Sequence, residues 1–127
     1  YEDQGELDKA IVDYNKAISL DPQLAVAYSN RGSAYYQQGE LDKAMADLTK
    51  AIELGPAYAV TYYNRGFTYY AQGELEKAIS DLTKAIELDP AYAVAYYNRG
   101  FVFEELGNKE KAEADYAKAK ELGYEPK

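Results

Sequence analysis

Histidine, cysteine and tryptophan are absent from this 127-residue chain, and methionine occurs once. Without imidazole or thiol there is no ordinary general base, no thiolate nucleophile and no zinc ligand set, so neither metal nor cofactor is expected. Cations are also short, with 14 Lys+Arg against 22 Asp+Glu and a net charge of −8. That balance argues against nucleic acid, whose phosphates need clustered cations, even for helical repeats that read RNA by shape. The apolar runs are only a few residues long, so membrane insertion is not expected. The acidic start Tyr1-Glu2-Asp3-Gln4-Gly5 does not read as a signal peptide. Cysteine usage leaves the redox compartment open, and the cytoplasm is the expectation only for an intracellular chain. No Walker-type loop, dinucleotide turn or nucleophile elbow occurs, and Glu104-Glu105 is too isolated for an acid/base pair, so no enzyme is expected. What remains is 47% apolar residues, with 15 Tyr and 3 Phe. That content argues against disorder and for one ordinary domain.

A period of 34 residues runs through the chain. Gly5-Glu6-Leu7, Gly39-Glu40-Leu41 and Gly73-Glu74-Leu75 keep it, and Gly107-Asn108-Lys109 holds the register. Asn30-Arg31-Gly32, Asn64-Arg65-Gly66 and Asn98-Arg99-Gly100 recur at the same interval, as do Asp21-Pro22, Gly55-Pro56 and Asp89-Pro90. Residues 25–58 and 59–92 are identical at 25 of 34 positions. No linker interrupts the copies, so one array spans 1–127: a partial unit over 1–24, units over 25–58 and 59–92, and a last unit over 93–127.

Each unit reads as two helices. The stretch from Ala59 to Gln72 is rich in Tyr and Ala, and Gly73 can adopt the positive φ that closes a helix. From Leu75 to Leu88, Leu75, Ala78, Ile79, Leu82, Ala85 and Ile86 fall on one helical face. Pro90 then stops the second helix. Period-2 alternation is missing, so the aromatic content does not signal strands. A helix pair cannot bury its own apolar face and must stack on copies of itself. Close approach is expected at Gly32, Gly66 and Gly100 and at Ala10/Ala17, Ala44/Ala51, Ala78/Ala85 and Ala112/Ala119. The stripe Tyr28/Tyr62/Tyr96 with Tyr35/Tyr69/Phe103 shares the glycine face and is assigned to packing. Arg31, Arg65 and Arg99 recur alongside Asp13, Asp47, Asp81 and Asp115, and the presence of both columns in each complete unit predicts Arg–Asp pairing between packed helices.

The period, the aromatic–Gly–aromatic first helix (Tyr62, Gly66, Tyr69), the Gly73 turn, the Ala78-x3-Leu82-x2-Ala85 second helix and Pro90 together resemble the tetratricopeptide repeat family over the whole chain. Arginine at 31, 65 and 99 departs from its commoner leucine and makes an Asn-Arg-Gly variant. The resemblance implies an all-α right-handed superhelix of about three and a half units, with first helices lining a concave groove.

The ends carry their own expectations. The Ile/Met column at 11, 18, 45, 52, 79 and 86 becomes Glu113 and Lys120, which reads as a C-terminal cap. Tyr1 falls near the end of a would-be first helix, so residues 7–20 read as a second helix without its partner and the chain as a fragment. Leu7 and Tyr14 would then expose an apolar face.

Three columns remain on the first helices after packing is removed, and on the resemblance they face the groove. They are Asn30/Asn64/Asn98, Ser29/Tyr63/Tyr97 and Ser33/Phe67/Phe101, extended by Tyr36, Tyr70 and Glu104 and joined by Glu105. An Asn side chain offers one acceptor and one donor group, matching a peptide unit, so this column can hold an extended backbone with little regard to sequence. The same asparagines could instead bond neighbouring backbone and fix repeat packing. Chaperone-binding members of the family set Lys and Arg beside such an Asn to clamp a carboxylate. Here the neighbours are Val26/Val60/Val94 and Ser29/Tyr63/Tyr97, so that specificity is not expected. Aromatic faces with Glu104 and Glu105 suit an apolar protein or peptide segment carrying a basic residue. The expected function is a non-catalytic peptide-binding adaptor. The alternative is a homo-oligomeric scaffold, assembled by end-to-end stacking or by docking of the unpaired N-terminal helix through Leu7 and Tyr14.

Overall fold

The computed structural model describes residues 4–55 and 58–125. Pro56 and Tyr1, each given a role above, lie outside them. Seven helices and no strands occur among the described residues: α1 (Gln4–Leu20), α2 (Ala25–Gln37), α3 (Leu41–Leu54), α4 (Ala59–Ala71), α5 (Leu75–Leu88), α6 (Ala93–Glu105) and α7 (Lys109–Glu121). None of these helices is long and apolar enough to cross a membrane.

The turn within each pair is set by glycine. Gly73 sits at φ +81°, and its N–H donates to the Tyr70 carbonyl at 2.9 Å while Glu74 N–H reaches back to Tyr69 O at 2.9 Å. That is a Schellman closure, which a residue with a Cβ makes only under strain. Gly39 and Gly107 repeat it. Gly5, in the same sequence register, does not: it lies inside α1, since no first helix precedes it among the described residues. Between pairs, Asp89 Oδ1 accepts the Ala91 N–H at 3.2 Å and ends α5 just before Pro90.

Helices α2/α3, α4/α5 and α6/α7 form the tight pairs, and α1/α2, α3/α4 and α5/α6 join one pair to the next. First helices also touch each other, α2 with α4 and α4 with α6, whereas no second helix contacts another among the described residues. Second helices thus splay while first helices converge, and the array curves with α2, α4 and α6 on its inner side. The core is narrow and made of small residues: Ala44, Leu48, Ala78, Leu82, Ala85, Ala95 and Val102 are nearly inaccessible. Glycine permits this closeness. A Cβ on Gly32 would lie 2.9 Å from Leu48 Cγ and 3.2 Å from the Ala44 carbonyl oxygen.

The arginines lock the pairs together. Arg65 Nε donates to Asp81 Oδ2 at 2.7 Å and Nη2 to Asp81 Oδ1 at 3.0 Å, while Nη1 reaches Thr49 Oγ1 of the preceding second helix at 3.4 Å. Arg31 does the same with Asp47 and Asn15, and Arg99 with Asp115 and Thr83. Each guanidinium also lies between two rings, Arg65 being 5.8 Å from the Tyr62 centroid and 5.7 Å from that of Tyr69. The aromatic stripe therefore packs around a cation. Hydrogen bonding to the aspartate, opposed by burial, raises the pKa of all three arginines. Arginine pairs only with the aspartate 16 residues further on. Asp13, in the partial unit, is exposed, and no arginine 16 residues before it lies among the described residues.

The apolar face expected on α1 is corrected as well. Leu7 is 4% exposed, buried rather than presented, and Tyr14 is half-buried. The exposed large apolar residues of α1 are Val12, at 63%, and Leu20, at 79%. At the other end, Glu113 and Lys120 are exposed, as charges on an outer face should be.

Candidate functional site

The inner face of the array carries a ladder of rings. Tyr36 of α2 meets Phe67 of α4 at 5.5 Å between centroids, and Phe67 lies 6.0 Å from Tyr63 and 6.4 Å from Tyr70. Tyr70 meets Phe101 of α6 edge-on at 5.8 Å, and Tyr63 packs on Tyr92 at 5.2 Å. Further along, Tyr97 stands between Tyr116 at 5.2 Å and Tyr124 at 5.0 Å. Helical repetition aligns the columns, and the approach of one first helix to the next brings them within ring-contact range.

Between α4 and α6 the ladder opens into a cavity of about 340 Å³, lined by Phe67, Tyr70, Leu82, Tyr97, Asn98, Phe101 and Val102. Leu82 and Val102 are buried and form its floor, while Phe101, 42% exposed, stands at its lip. Four residues expected to bind, Phe67, Tyr70, Tyr97 and Phe101, thus converge on one apolar hollow beside one amide. A second hollow, of about 260 Å³, lies on the other side of Tyr97 among Tyr116, Ala119, Lys120, Tyr124 and Glu125. Ser33, Tyr36, Asn64 and Phe67 surround only a shallow depression of about 30 Å³.

The asparagine column divides. Asn30 is exposed and Asn64 half-buried, and neither side-chain amide has a hydrogen-bond partner among the described residues. Asn98 Nδ2 donates to Tyr63 Oη at 2.6 Å, which leaves its carbonyl and its second amide hydrogen open. Ser29 is buried and shares a hydrogen bond of 3.1 Å with Thr61, so it belongs to the contact between first helices rather than to the groove. Glu104 Oε1 accepts the Tyr116 hydroxyl at 2.6 Å. Burial raises the pKa of the Tyr70 phenol, and a hydrogen bond to Glu105 adds to it.

Burial pushes the Tyr63 phenol up to about 12, helped by Tyr92 and opposed by the Asn98 hydrogen bond. Tyr36, Tyr92 and Tyr116 are raised too, burial being the main cause in each. A phenol with a raised native pKa stabilises the fold fully below its unfolded value near 10, because only above that pH does the unfolded chain shed a proton that the native one keeps. Stability should therefore fall as pH rises from 10 towards 12, the native value for Tyr63. Urea midpoints measured across that range should drop, and Tyr63→Phe should flatten the drop.

Tyr116 and Tyr124 were not singled out by the sequence pattern. Tyr92 packs on Tyr63 and Tyr124 on Tyr97, yet Tyr124 stands two positions short of the place 34 residues after Tyr92. Gly123, at φ +97°, turns the chain early: Tyr124 N–H donates to Ala119 O at 2.9 Å and the ring swings back onto α6. The Gly-Tyr pair after α7 was the available signal.

Antiparallel helix pairs stacked in series, curved towards an aromatic groove, define an α-solenoid. A TPR repeat model matches residues 1–39, 32–73 and 68–107, a tetratricopeptide repeat model matches 93–122, and the chain belongs to the tetratricopeptide repeat family. As such it is a protein–protein interaction module. Among solved structures it is similar to MamA, with 31% identity and a TM-score of 0.87 over 97% of this chain and 76% of that one. A second MamA structure gives 32% and 0.85, with 94% of this chain and 65% of that one covered. The first TPR of Spaghetti (RPAP3), bound to HSP90 peptide SRMEEVD, gives 32% and 0.76 over 81% of this chain and 82% of that one. No curated protein sequence matches the chain.

Proposed function

We propose that the chain is a non-catalytic adaptor that holds an extended peptide segment of a partner protein along α2, α4 and α6. The observation that carries this reading is the open apolar hollow between α4 and α6, flanked by amides with hydrogen-bonding capacity to spare. Packed helices lie about 8–10 Å apart and an extended chain rises about 3.3 Å per residue, so amides on successive first helices would meet about every third peptide unit. Asn64 offers both its donor and its acceptor, while Asn98 offers its carbonyl to a peptide N–H. One large apolar side chain fills the hollow, and a basic residue beside it reaches Glu105 and Glu104.

The Spaghetti domain binds an acidic peptide. This groove lines its amide column with Val60, Val94, Tyr63 and Tyr97 and ends in carboxylates, so its chemistry favours an apolar segment with a cation instead. The backbone reading is tested by titrating a partner peptide of that type against Asn64→Ala. Affinity should fall about fivefold to tenfold for the lost hydrogen bonds, with the thermal melt unchanged. Unchanged affinity would remove the amide ladder.

A further inference from the structure

The hollow between α4 and α6 sets one amide among rings. Phe67, Tyr70, Tyr97 and Phe101 wall it, and besides the two phenols Asn98 supplies its one polar side chain. One amide hydrogen of Asn98 is engaged, since Nδ2 donates to Tyr63 Oη, and Tyr63 is not among the lining residues. The Asn98 carbonyl oxygen has no hydrogen-bond partner, yet no buried side-chain oxygen or nitrogen among the described residues lacks one. That oxygen is therefore accessible, on a residue that lines the hollow. An occupant that covers it takes away its water and must bring a donor in exchange.

Size and polarity together narrow the choice of side chain. Leucine or phenylalanine fills apolar space but leaves the carbonyl without a partner. Tyrosine brings a donor, but also an oxygen that needs a donor of its own. Tryptophan has the largest apolar body and a single N–H that only donates, so one acceptor satisfies it completely. Its double ring also suits edge-to-face contact with the surrounding rings. We infer that the hollow is a tryptophan site, the indole N–H donating to Asn98 Oδ1, for a partner segment of the form Trp-x-Lys or Trp-x-Arg. Residues two apart share one side of an extended chain, which carries the cation to Glu104 and Glu105, just beyond Phe101 on α6. No Lys or Arg lines the hollow to repel it. The site rests on the groove reading proposed above and names its anchor. These 127 residues contain no tryptophan, so a second copy of them cannot supply that anchor, and the occupant is a segment of another protein.

The same absence makes the test direct, because a tryptophan in the peptide is then the only indole in the sample. The probe is a capped synthetic heptapeptide with one tryptophan and, two positions later, one lysine, in an alanine–serine background. Its emission should move to shorter wavelength on titration with the intact chain, and Phe101→Ala should remove that shift. Companion peptides replace the tryptophan by phenylalanine, by leucine, or by benzothienylalanine, which keeps the double ring and lacks the N–H. Calorimetry should find each at least about fivefold weaker. Asn98→Leu should bring the tryptophan peptide down to the benzothienyl one, whereas Asn98→Asp, which keeps an acceptor, should preserve the preference. Should either variant fail to fold, the benzothienyl comparison on the unchanged chain decides alone. Equal affinity for the tryptophan and benzothienyl peptides, or for the tryptophan and leucine peptides, overturns the tryptophan site. So does binding with unshifted emission, which leaves the indole in water. If the peptides bind alike and Phe101→Ala weakens them all, the groove reading stands without this anchor. If none binds, or Phe101→Ala changes no affinity, the groove reading falls with it.

Discussion

Replacing Arg65 by alanine should lower stability by about 3 kcal/mol, a large loss for a residue outside the apolar core. Asp81 is 7% exposed at its side chain, and both its carboxylate oxygens accept from Arg65. Removing the guanidinium leaves that carboxylate buried and unpaired, frees Thr49, and takes the cation from between Tyr62 and Tyr69. Arg65 is 18% exposed, so water reaches one edge of the pair and keeps the loss at the lower end of the range for buried pairs. Thermal and urea melts should show the loss. Arg65→Lys should recover only part of it, because an ammonium cannot reproduce the two parallel bonds. Arg65→Met with Asp81→Leu should recover most of it, since no charge is then stranded. A single variant as stable as the parent would show that the pair is not what joins α4 to α5.

Phe101→Ala should do the opposite: stability within about 0.5 kcal/mol of the parent, but peptide affinity about thirtyfold weaker. The ring stands at the lip of the hollow and is 42% exposed, so the free protein gains little from it. A peptide side chain seated there would cover it and desolvate the hollow. The control is Leu82→Ala, at the floor of the same hollow. Leu82 is 1% exposed, and its truncation should cost about 2–5 kcal/mol of stability. Isothermal titration with a peptide carrying one large apolar residue and one lysine or arginine measures the first effect. Equal affinity for Phe101→Ala and the parent would move the binding site elsewhere.

The aromatic columns show what kind of information each level holds. Tyr63, Phe67, Tyr70, Tyr97 and Phe101 were picked out because a helical period sets them apart from the glycine stripe. That selection was local geometry. Which of them meet across helices depends on how closely α4 and α6 approach, and no period within one helix states that distance. Asn98 illustrates the difference: identical in type and register to Asn30 and Asn64, it alone is bonded to Tyr63, because unit by unit the preceding first helix offers Tyr63 where the earlier one offers Ser29.

Leu7 and Asp13 make the same point from the other side. Sequence register sets α1 apart as a second helix, and among the described residues it contacts α2 alone. The residue expected to stand exposed, Leu7, is buried, while Asp13, whose counterparts Asp47, Asp81 and Asp115 are buried against arginines, is exposed. An apolar side chain can be covered from several directions, but a bidentate pair needs one donor at one place.

The amino-acid order alone determined the helix pairs, their 34-residue repetition, the glycine turns from Gly39 onward and the choice of inner-face columns, because each rests on contacts within about one unit. Only the tertiary structure decided the curvature, the hollow between α4 and α6, the engagement of Asn98 and the burial of Leu7. Those depend on the separation and relative rotation of packed helices, quantities settled by side chains that meet across the stack rather than along the chain.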